Sequence, residues 1–131
     1  MSNSGILWSD FNLGYHYPDY KSWWAFKWSA SKTSTPGQTK VSWELATISD
    51  TSTTHHFWTW IYLDIDGVRK KTLDNAQREF PGADSNYSNT KTHTSGEFII
   101  THDENGAGSF TAKIGGRIYK GGGTQEIGNA S

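Results

Sequence analysis

A strict alternation of side chains between positions 57 and 65 is the feature that most restricts the fold of this chain. Successive residues of a β-strand point to opposite faces of the sheet. One face of this segment would carry Phe57, Ile61, Leu63 and Ile65, and the other would carry Trp58, Trp60 and Tyr62. Because a half-buried strand normally alternates apolar with polar residues, a second face made of flat rings is unusual. Exposed rings usually mark a contact surface, and three along one strand have a spacing that suits stacked sugar rings, so the pattern predicts carbohydrate binding.

The composition restricts the number of domains and the class of partner. The 131 residues fit one domain, 1–131, and aromatic residues make up 15% of the chain, so large rings must supply much of its burial. The net charge of -1 gives no general attraction to nucleic acid or to anionic lipid. No stretch approaches the roughly 18 consecutive apolar residues of a membrane span. We therefore expect neither nucleic acid nor a membrane as a partner, and the absence of cysteine excludes disulfides and thiolate metal sites.

Short segments rich in Trp, Tyr, Val, Ile and Thr, separated by Gly, Pro, Asn, Asp and Ser, predict an all-β fold. The expected strands are Trp23–Ser31, Thr39–Ile48, Phe57–Asp66, Val68–Leu73, Gly96–Asp103, Ser109–Ile114 and Arg117–Lys120. Asp66-Gly67 predicts a tight hairpin turn of the primed type, because Gly tolerates positive φ, and Glu104-Asn105-Gly106 predicts another turn. The polar stretch Ala76–Thr92 is a long connection and hence a candidate functional loop.

Alternation along these strands predicts a two-sheet antiparallel β-sandwich around one core. The expected core residues are Val41, Trp43, Leu45, Phe57, Ile61, Leu63, Phe98, Ile100, Phe110, Ala112 and Ile114. Both faces of the first strand carry rings. We assign Trp24, Phe26 and Trp28 to the core, which leaves Trp23 on the opposite face.

Residues 1–22 form an aromatic-rich N-terminal segment that we expect to pack on the sandwich. It would either cover the outward row of rings or widen a groove beside that row. The candidate ligand-binding residues are Trp58, Trp60, Tyr62, Asp64, Trp23, Tyr17 and Tyr20. In this set Tyr17 and Tyr20 would lie at the rim, and Asp64 would accept hydrogen bonds from sugar hydroxyls. The alternative is that this segment, a loop or a neighbouring domain buries the outward rings as a second core layer.

Neither a metal site nor a catalytic site is expected. Adjacent residues of a strand point to opposite faces, so His55 and His56 cannot easily hold one ion together. Residues 102–106 include oxygen-rich side chains but lack the alternating spacing of a calcium loop. Glycoside hydrolysis requires two carboxylates facing each other across a cleft. The acidic candidates are scattered along the chain at Glu44, Asp64, Glu79, Asp103 and Glu126. We expect a non-enzymatic protein without a cofactor.

Four segments, taken in order, carry a resemblance to a known family. They are Val41-Ser42-Trp43-Glu44-Leu45, Trp60-Ile61-Tyr62-Leu63-Asp64-Ile65-Asp66-Gly67, Ile99-Ile100-Thr101-His102-Asp103-Glu104-Asn105-Gly106-Ala107-Gly108-Ser109-Phe110 and Gly122-Gly123-Thr124-Gln125-Glu126-Ile127-Gly128-Asn129-Ala130-Ser131. Over residues 41 to 131 the chain resembles domains of minor structural and tail-adhesion proteins from long-tailed phages of Gram-positive bacteria, including carbohydrate-binding modules inserted in their distal tail proteins. Such domains commonly end in Ile-Pro-Arg-Ala-Ser, and this chain departs from them by lacking the Pro and the Arg.

The resemblance implies a jelly-roll-like β-sandwich in a virion tail, outside the cell, that recognises bacterial cell-wall saccharide. Because shallow stacking gives weak binding at each site, we expect the domain to be part of a larger tail protein or present in multiple copies. Two other functions stay open. One is a structural tail-assembly domain that uses the aromatic row as a protein interface, and the other is an accessory carbohydrate-binding module of a secreted glycan-degrading enzyme.

Overall fold

The computed structural model consists of β-strands joined by turns and loops. It describes residues 3–10, 12–14, 17–102, 108–116 and 119–127, with the backbone alone described for 12–14 and 17–21. The strands are β1 (Ser4–Trp8), β2 (Asn12–Gly14), β3 (Tyr17–Lys32), β4 (Gln38–Ser49), β5 (His55–Ile65), β6 (Val68–Phe80), β7 (Lys91–Thr101), β8 (Gly108–Gly116) and β9 (Lys120–Ile127). The predicted all-β fold is therefore confirmed.

The strands form two antiparallel sheets. In the first sheet the order is β1-β3-β4-β7, with β2 also paired to β3, and in the second sheet the order is β6-β5-β8-β9. Inward side chains from both sheets belong to one hydrophobic core, so the sheets pack face to face. The predicted two-sheet antiparallel β-sandwich is confirmed.

Connections between strands add detail that the alternation pattern does not contain. The β3–β4, β5–β6 and β8–β9 pairs are neighbours within one sheet, whereas the chain crosses between sheets at β4–β5, β6–β7 and β7–β8. The chain thus combines hairpins within one sheet with crossings from one sheet to the other. The β5–β6 turn has φ values of 50° at Asp66 and 81° at Gly67, which confirms the primed hairpin. The turn expected at 104–106 lies outside the described residues.

The core follows the alternation of the strands. The predicted core residues that are buried are Val41, Trp43, Leu45, Ile61, Leu63, Ile100, Phe110, Ala112 and Ile114, together with Trp24, Phe26 and Trp28 of β3. Phe57 and Phe98 are partly buried and pack against this cluster. The core also contains Phe80, Tyr119 and Ile127, which the alternation did not identify.

Several strand boundaries differ from the sequence-based expectation, and β3 and β7 begin earlier than expected, at Tyr17 and Lys91. Strand β6 runs to Phe80, so the polar connection that follows it spans 81–90 and is shorter than Ala76–Thr92. The second half of β6 was not predicted as a strand because its sequence is polar. Strand β6 lies at the edge of its sheet, and most of its side chains face solvent. Strand β9 begins at Lys120, later than the expected Arg117–Lys120, and residues 117 and 118 lie outside the described part.

Two core indoles lie across glycines of the neighbouring strand. Trp28 pairs with Gly5, and Trp43 pairs with Gly96. A Cβ on Gly5 would lie 2.7 Å from Trp28 Nε1, and a Cβ on Gly96 would lie 2.6 Å from Trp43 Cζ2. Each glycine therefore makes room for a large ring. Trp28 Nε1 also donates to Gln125 Oε1 at 3.1 Å, which joins the first sheet to the second.

Candidate aromatic binding surface

The outer face of strand β5 carries the predicted row of rings. Strand β5 lies between β6 and β8, and Ile61 points inward and is fully buried, so the residues on either side of it point outward. Trp58 is 61% exposed and Trp60 is 37% exposed. Tyr62 and Asp64 follow on the same face and are half-buried. The structure therefore brings four of the sequence-predicted site residues together on one surface.

The ring of Tyr62 is less accessible to solvent than the sequence suggests. Its ring centroid lies 6.2 Å from that of Trp60, with an angle of 28° between the ring planes. On β8, its partner is Gly115, and a Cβ there would lie 2.5 Å from the phenol oxygen, so the ring leans across the β8 backbone. The guanidinium carbon of Arg69 lies 3.9 Å from the ring centroid and covers one face of the ring. Trp58 and Trp60 therefore present the open rings of this surface.

Asp64 is paired with a basic residue that sequence reasoning missed. Arg69 Nε donates a hydrogen bond to Asp64 Oδ1, and this bond raises the pKa of Arg69 above its ordinary value. The side chain of Asp64 is 18% exposed, against 52% for Arg69. Lys113 Nζ lies 6.0 Å from the ring centroid of Tyr62. A ligand that reaches this end of the row would meet a guanidinium first and the carboxylate second.

The β5–β6 turn explains why Arg69 faces Asp64. The two-residue turn at Asp66-Gly67 pairs Ile65 with Val68 and Asp64 with Arg69. Directly opposed residues of an antiparallel pair point to the same face, so Arg69 lies on the surface that carries the rings. Strand β6 has one extra residue opposite the step from Leu63 to Asp64 and another opposite the interval from Thr59 to Ile61, so its alternation changes only beyond this pair.

Trp23 lies on the opposite side of the molecule from the row of rings. It belongs to β3 in the first sheet, and the next residue, Trp24, is buried in the core, so Trp23 faces outward there. Its ring centroid lies 6.1 Å from that of Trp8 and 5.4 Å from that of Tyr87. The prediction that Trp23 shares a site with Trp58 and its neighbours is wrong, because the two strands belong to different sheets.

The N-terminal segment joins the first sheet. Strands β1 and β2 both pair with β3, and residue 17 pairs with Gly14. The described part of this segment therefore extends the sheet opposite the row of rings and does not form the cover over that row that was one of the two alternatives. Tyr17 and Tyr20 belong to β3 by their backbone, and their side chains lie outside the described part of the structure.

The acidic residues and histidines are spread over the molecule. Glu44 pairs with Lys27 at 3.4 Å on the outer face of the first sheet, and Glu79 Oε2 lies 3.8 Å from Lys91 Nζ. Asp103 lies outside the described residues. Across the ranges that the structure describes, no three His, Asp or Glu side chains lie close enough together to hold a metal ion.

No protein-family model, curated protein or solved structure matches the chain. In the described residues there is no helix with the length and apolar character needed to cross a membrane. What the chain binds must therefore be inferred from its own surfaces.

Proposed function

We propose that this chain is a non-catalytic carbohydrate-binding domain that holds bacterial cell-wall saccharide on the outer face of strand β5. The exposed indoles of Trp58 and Trp60 are the observation on which the proposal depends. We assign the domain to the tail of a phage virion, outside the cell, on the resemblance carried by residues 41 to 131.

Two neighbouring indoles on an open sheet face favour a flat, amphipathic ligand. Alternate residues of a strand lie about 7 Å apart, so Trp58 and Trp60 present two successive ring surfaces along β5. Sugar rings present C–H groups that pack against aromatic rings, while their hydroxyls stay at the edges and keep their hydrogen bonds. Because Trp58 is 61% exposed, a sugar that covers its ring removes apolar surface from water, and this burial stabilises the complex.

Polar side chains border the two indoles and can form hydrogen bonds with the hydroxyl groups of a sugar. Gln77 lies opposite Trp58 on β6, and the Arg69–Asp64 pair lies beyond Tyr62. Amide and guanidinium N–H groups donate to sugar oxygens. The guanidinium also matches the geometry of phosphate and carboxylate groups, which favours an anionic wall polymer over a neutral one.

A shallow platform gives modest affinity at one site. Little of the ligand is enclosed, and the translational and rotational freedom lost on binding opposes the small area that is buried. Several copies on one tail raise the effective concentration of the second and later contacts, and this converts weak binding into firm attachment. The proposal therefore includes a multivalent setting, either in a larger tail protein or in repeated copies.

The test compares the two indoles with a matched control. Trp58→Ala and Trp60→Ala should each weaken binding of the purified domain to isolated Gram-positive cell walls by about tenfold or more. Their melting temperatures should change little, because exposed rings contribute little to folding. Ile99→Ala removes another exposed apolar side chain, from strand β7 of the other sheet, and should leave wall binding unchanged. Unchanged binding in both Trp variants would contradict the proposal.

A protein interface is the main alternative, because Trp is enriched at the centres of such contacts. The exposed pair Trp58 and Trp60 would serve an assembly contact as well as it would serve a sugar. Gel filtration beside the wall-binding assay separates the two functions. A monomer that binds walls supports saccharide recognition, whereas a stable oligomer that ignores walls, and that Trp58→Ala dissociates, supports assembly.

A further inference from the structure

A second group of rings lies on the outer face of the first sheet, on the opposite side of the sandwich from Trp58 and Trp60. Trp8 of β1, Trp23 of β3 and Tyr87 of the 81–90 connection line an open pocket of about 590 Å³, together with Asp50 and Asn86. Trp8 and Tyr87 are each 37% exposed. The pocket is therefore accessible to a ligand from solvent.

The three rings meet at steep angles. Trp23 lies between the other two, at an interplanar angle of 65° to Trp8 and 88° to Tyr87. Trp60 and Tyr62, in contrast, are inclined by only 28°. Nearly parallel rings make a shelf for a flat ligand, whereas rings close to perpendicular make the walls of a pocket and suit a rounded group.

Tyr87 is fixed in this position by the connection that carries it. Its φ is 53°, a conformation that L-residues other than Asn and Asp seldom adopt. Asp84 holds the turn: its carbonyl oxygen accepts from Tyr87 N–H at 3.2 Å, and its carboxylate accepts from Ser88 N–H at 2.7 Å and from the Ser88 hydroxyl. The hydroxyl of Tyr87 donates to Asp50 Oδ1 at 3.3 Å. The ring and the carboxylate are thus held as one unit.

The sheet face beside the rings is apolar. Ala25, Ala46 and Ile48 point to this outer face, yet all three are fully buried. Trp8 pairs with Ala25 and Trp23 pairs with Ile48, so the two indoles lie next to buried apolar side chains. A group that enters the pocket would meet the rings of Trp8, Trp23 and Tyr87, the carboxylate of Asp50 and the amide of Asn86.

The charge of this pocket selects the ligand. Asp50 is half-buried, and among the described side chains no Lys or Arg forms an ion pair with it. A carboxylate repels anions, while the negative faces of indole and phenol rings attract cations, most strongly those that shed water easily. We propose that the pocket formed by Trp8, Trp23, Tyr87 and Asp50 binds a quaternary ammonium group, such as the headgroup of choline. This proposal is independent of saccharide binding by Trp58 and Trp60.

The experiment titrates the full chain with choline chloride and, separately, with the neutral analogue in which carbon replaces the choline nitrogen, at constant ionic strength. The indole N–H signals of Trp8 and Trp23 should shift with choline, while those of Trp58 and Trp60 should not. Choline should bind about tenfold or more tightly than its neutral analogue, because the two have the same shape and differ in charge. Equal affinity for both, or no shift with choline, would overturn the proposal.

Variants then test the residues of the pocket. Asp50→Asn should weaken choline binding about tenfold, and Tyr87→Ala should abolish it, whereas Tyr87→Phe keeps the ring and should retain most of the affinity. Trp60→Ala, on the opposite face, should bind choline like the parent chain, even if it has lost wall binding. If Asp50→Asn lowers the melting temperature, Trp8→Ala on edge strand β1 provides the deciding measurement. If Trp8→Ala binds choline with the same affinity as the parent chain, the rings only cover the sheet and the proposal is wrong.

Discussion

Tyr62 lies so closely across Gly115 that a methyl group at position 115 would come within 2.5 Å of the phenol oxygen and 2.6 Å of Cζ. The two residues are direct partners in the β5–β8 ladder. The orientation of the Tyr62 ring, and with it the stacking on Trp60, thus depends on the absence of a side chain on the neighbouring strand.

Gly115→Ala should displace the Tyr62 ring and disturb the surface that holds saccharide. We expect the free energy of unfolding to fall by about 1 kcal/mol, the usual cost of forcing an extra methyl group into a packed site, and wall binding to weaken several-fold. Gly123→Ala is the control, because the nearest atom to its Cβ would be Gln125 Nε2 at 4.0 Å. Chemical denaturation and the wall-binding assay measure the two effects. If both alanine variants behave alike, Gly115 does not set the position of Tyr62.

Arg69→Gln should uncover one face of Tyr62 and remove the positive charge beside the rings. If the wall polymer is recognised through anionic groups, binding should weaken and its dependence on salt concentration should decrease. Lys70→Gln removes the same charge from the adjacent residue of β6 and is the matched control. Melting temperatures should stay close to that of the parent chain, because an exposed ion pair contributes little to folding. Equal losses in both variants would indicate general electrostatic attraction and not a contact at Arg69.

The β5–β6 turn offers a test of local stability. The N–H of Asp66 donates to the Thr111 carbonyl oxygen at 2.8 Å, and Asp66 Oδ1 accepts from the Thr111 N–H at 2.8 Å. Asp66→Ala loses the second bond and places alanine at positive φ, so the free energy of unfolding should fall by about 1 to 2 kcal/mol. Asp66→Asn keeps an acceptor and tolerates this φ, and its urea denaturation curve should overlay that of the parent chain. If Asp66→Ala has the same urea denaturation midpoint as the parent chain, the hydrogen bond from Thr111 N–H to Asp66 does not contribute to stability.

His93 is half-buried at one end of the core and is held in its neutral form. Its Nε2 lies 2.7 Å from Thr47 Oγ1, and the Thr47 hydroxyl donates to the Glu79 carbonyl oxygen at 2.7 Å, so the imidazole N–H is the donor to Thr47. Burial, helped by the positive charges of Arg78 and Lys91, lowers the pKa of His93 to about 4.

The stability of the fold should therefore decrease in mild acid. In the unfolded chain His93 takes up a proton near its ordinary pKa of 6.5, whereas the folded chain resists protonation until about 4. Its stabilising contribution is fully present above pH 6.5 and is lost as the pH falls to 4, by about 2 kcal/mol for a partly screened ring. His93→Gln keeps a donor to Thr47 and does not titrate, so a plot of its unfolding free energy against pH should be flatter. If the unfolding free energies of the parent chain and His93→Gln change with pH in the same way, His93 is not the cause of the loss of stability in acid.

Features that depend on local sequence were predictable. The period of two in β5 placed Trp58 and Trp60 on an outer face, and Asp66-Gly67 marked the hairpin, because side-chain direction and turn type are decided within a few residues. The buried face of β8 followed for the same reason, since Phe110, with the alternate residues after it, points inward.

Features that depend on the pairing of distant segments were not predictable. The sequence could not show that Trp23 belongs to the sheet opposite β5, because strand order is a property of the whole fold. The bulges of β6 change which of its side chains face outward beyond Arg69, and Tyr87 meets Trp23 only because the 81–90 connection folds over the first sheet. Phe80 was overlooked because the strand that carries it is polar along most of its length.

The glycines that lie beneath Trp28, Trp43 and Tyr62 also restrict how the strands can align during folding. Sliding β7 by two residues along β4 would keep the same faces inward, so hydrophobic patterning alone does not oppose the error. It would, however, set Trp43 against Thr94 or Phe98 in place of Gly96, and the indole would collide with a side chain. Each ring thus fits only opposite its own glycine, so steric exclusion opposes a shifted register between these non-consecutive strands.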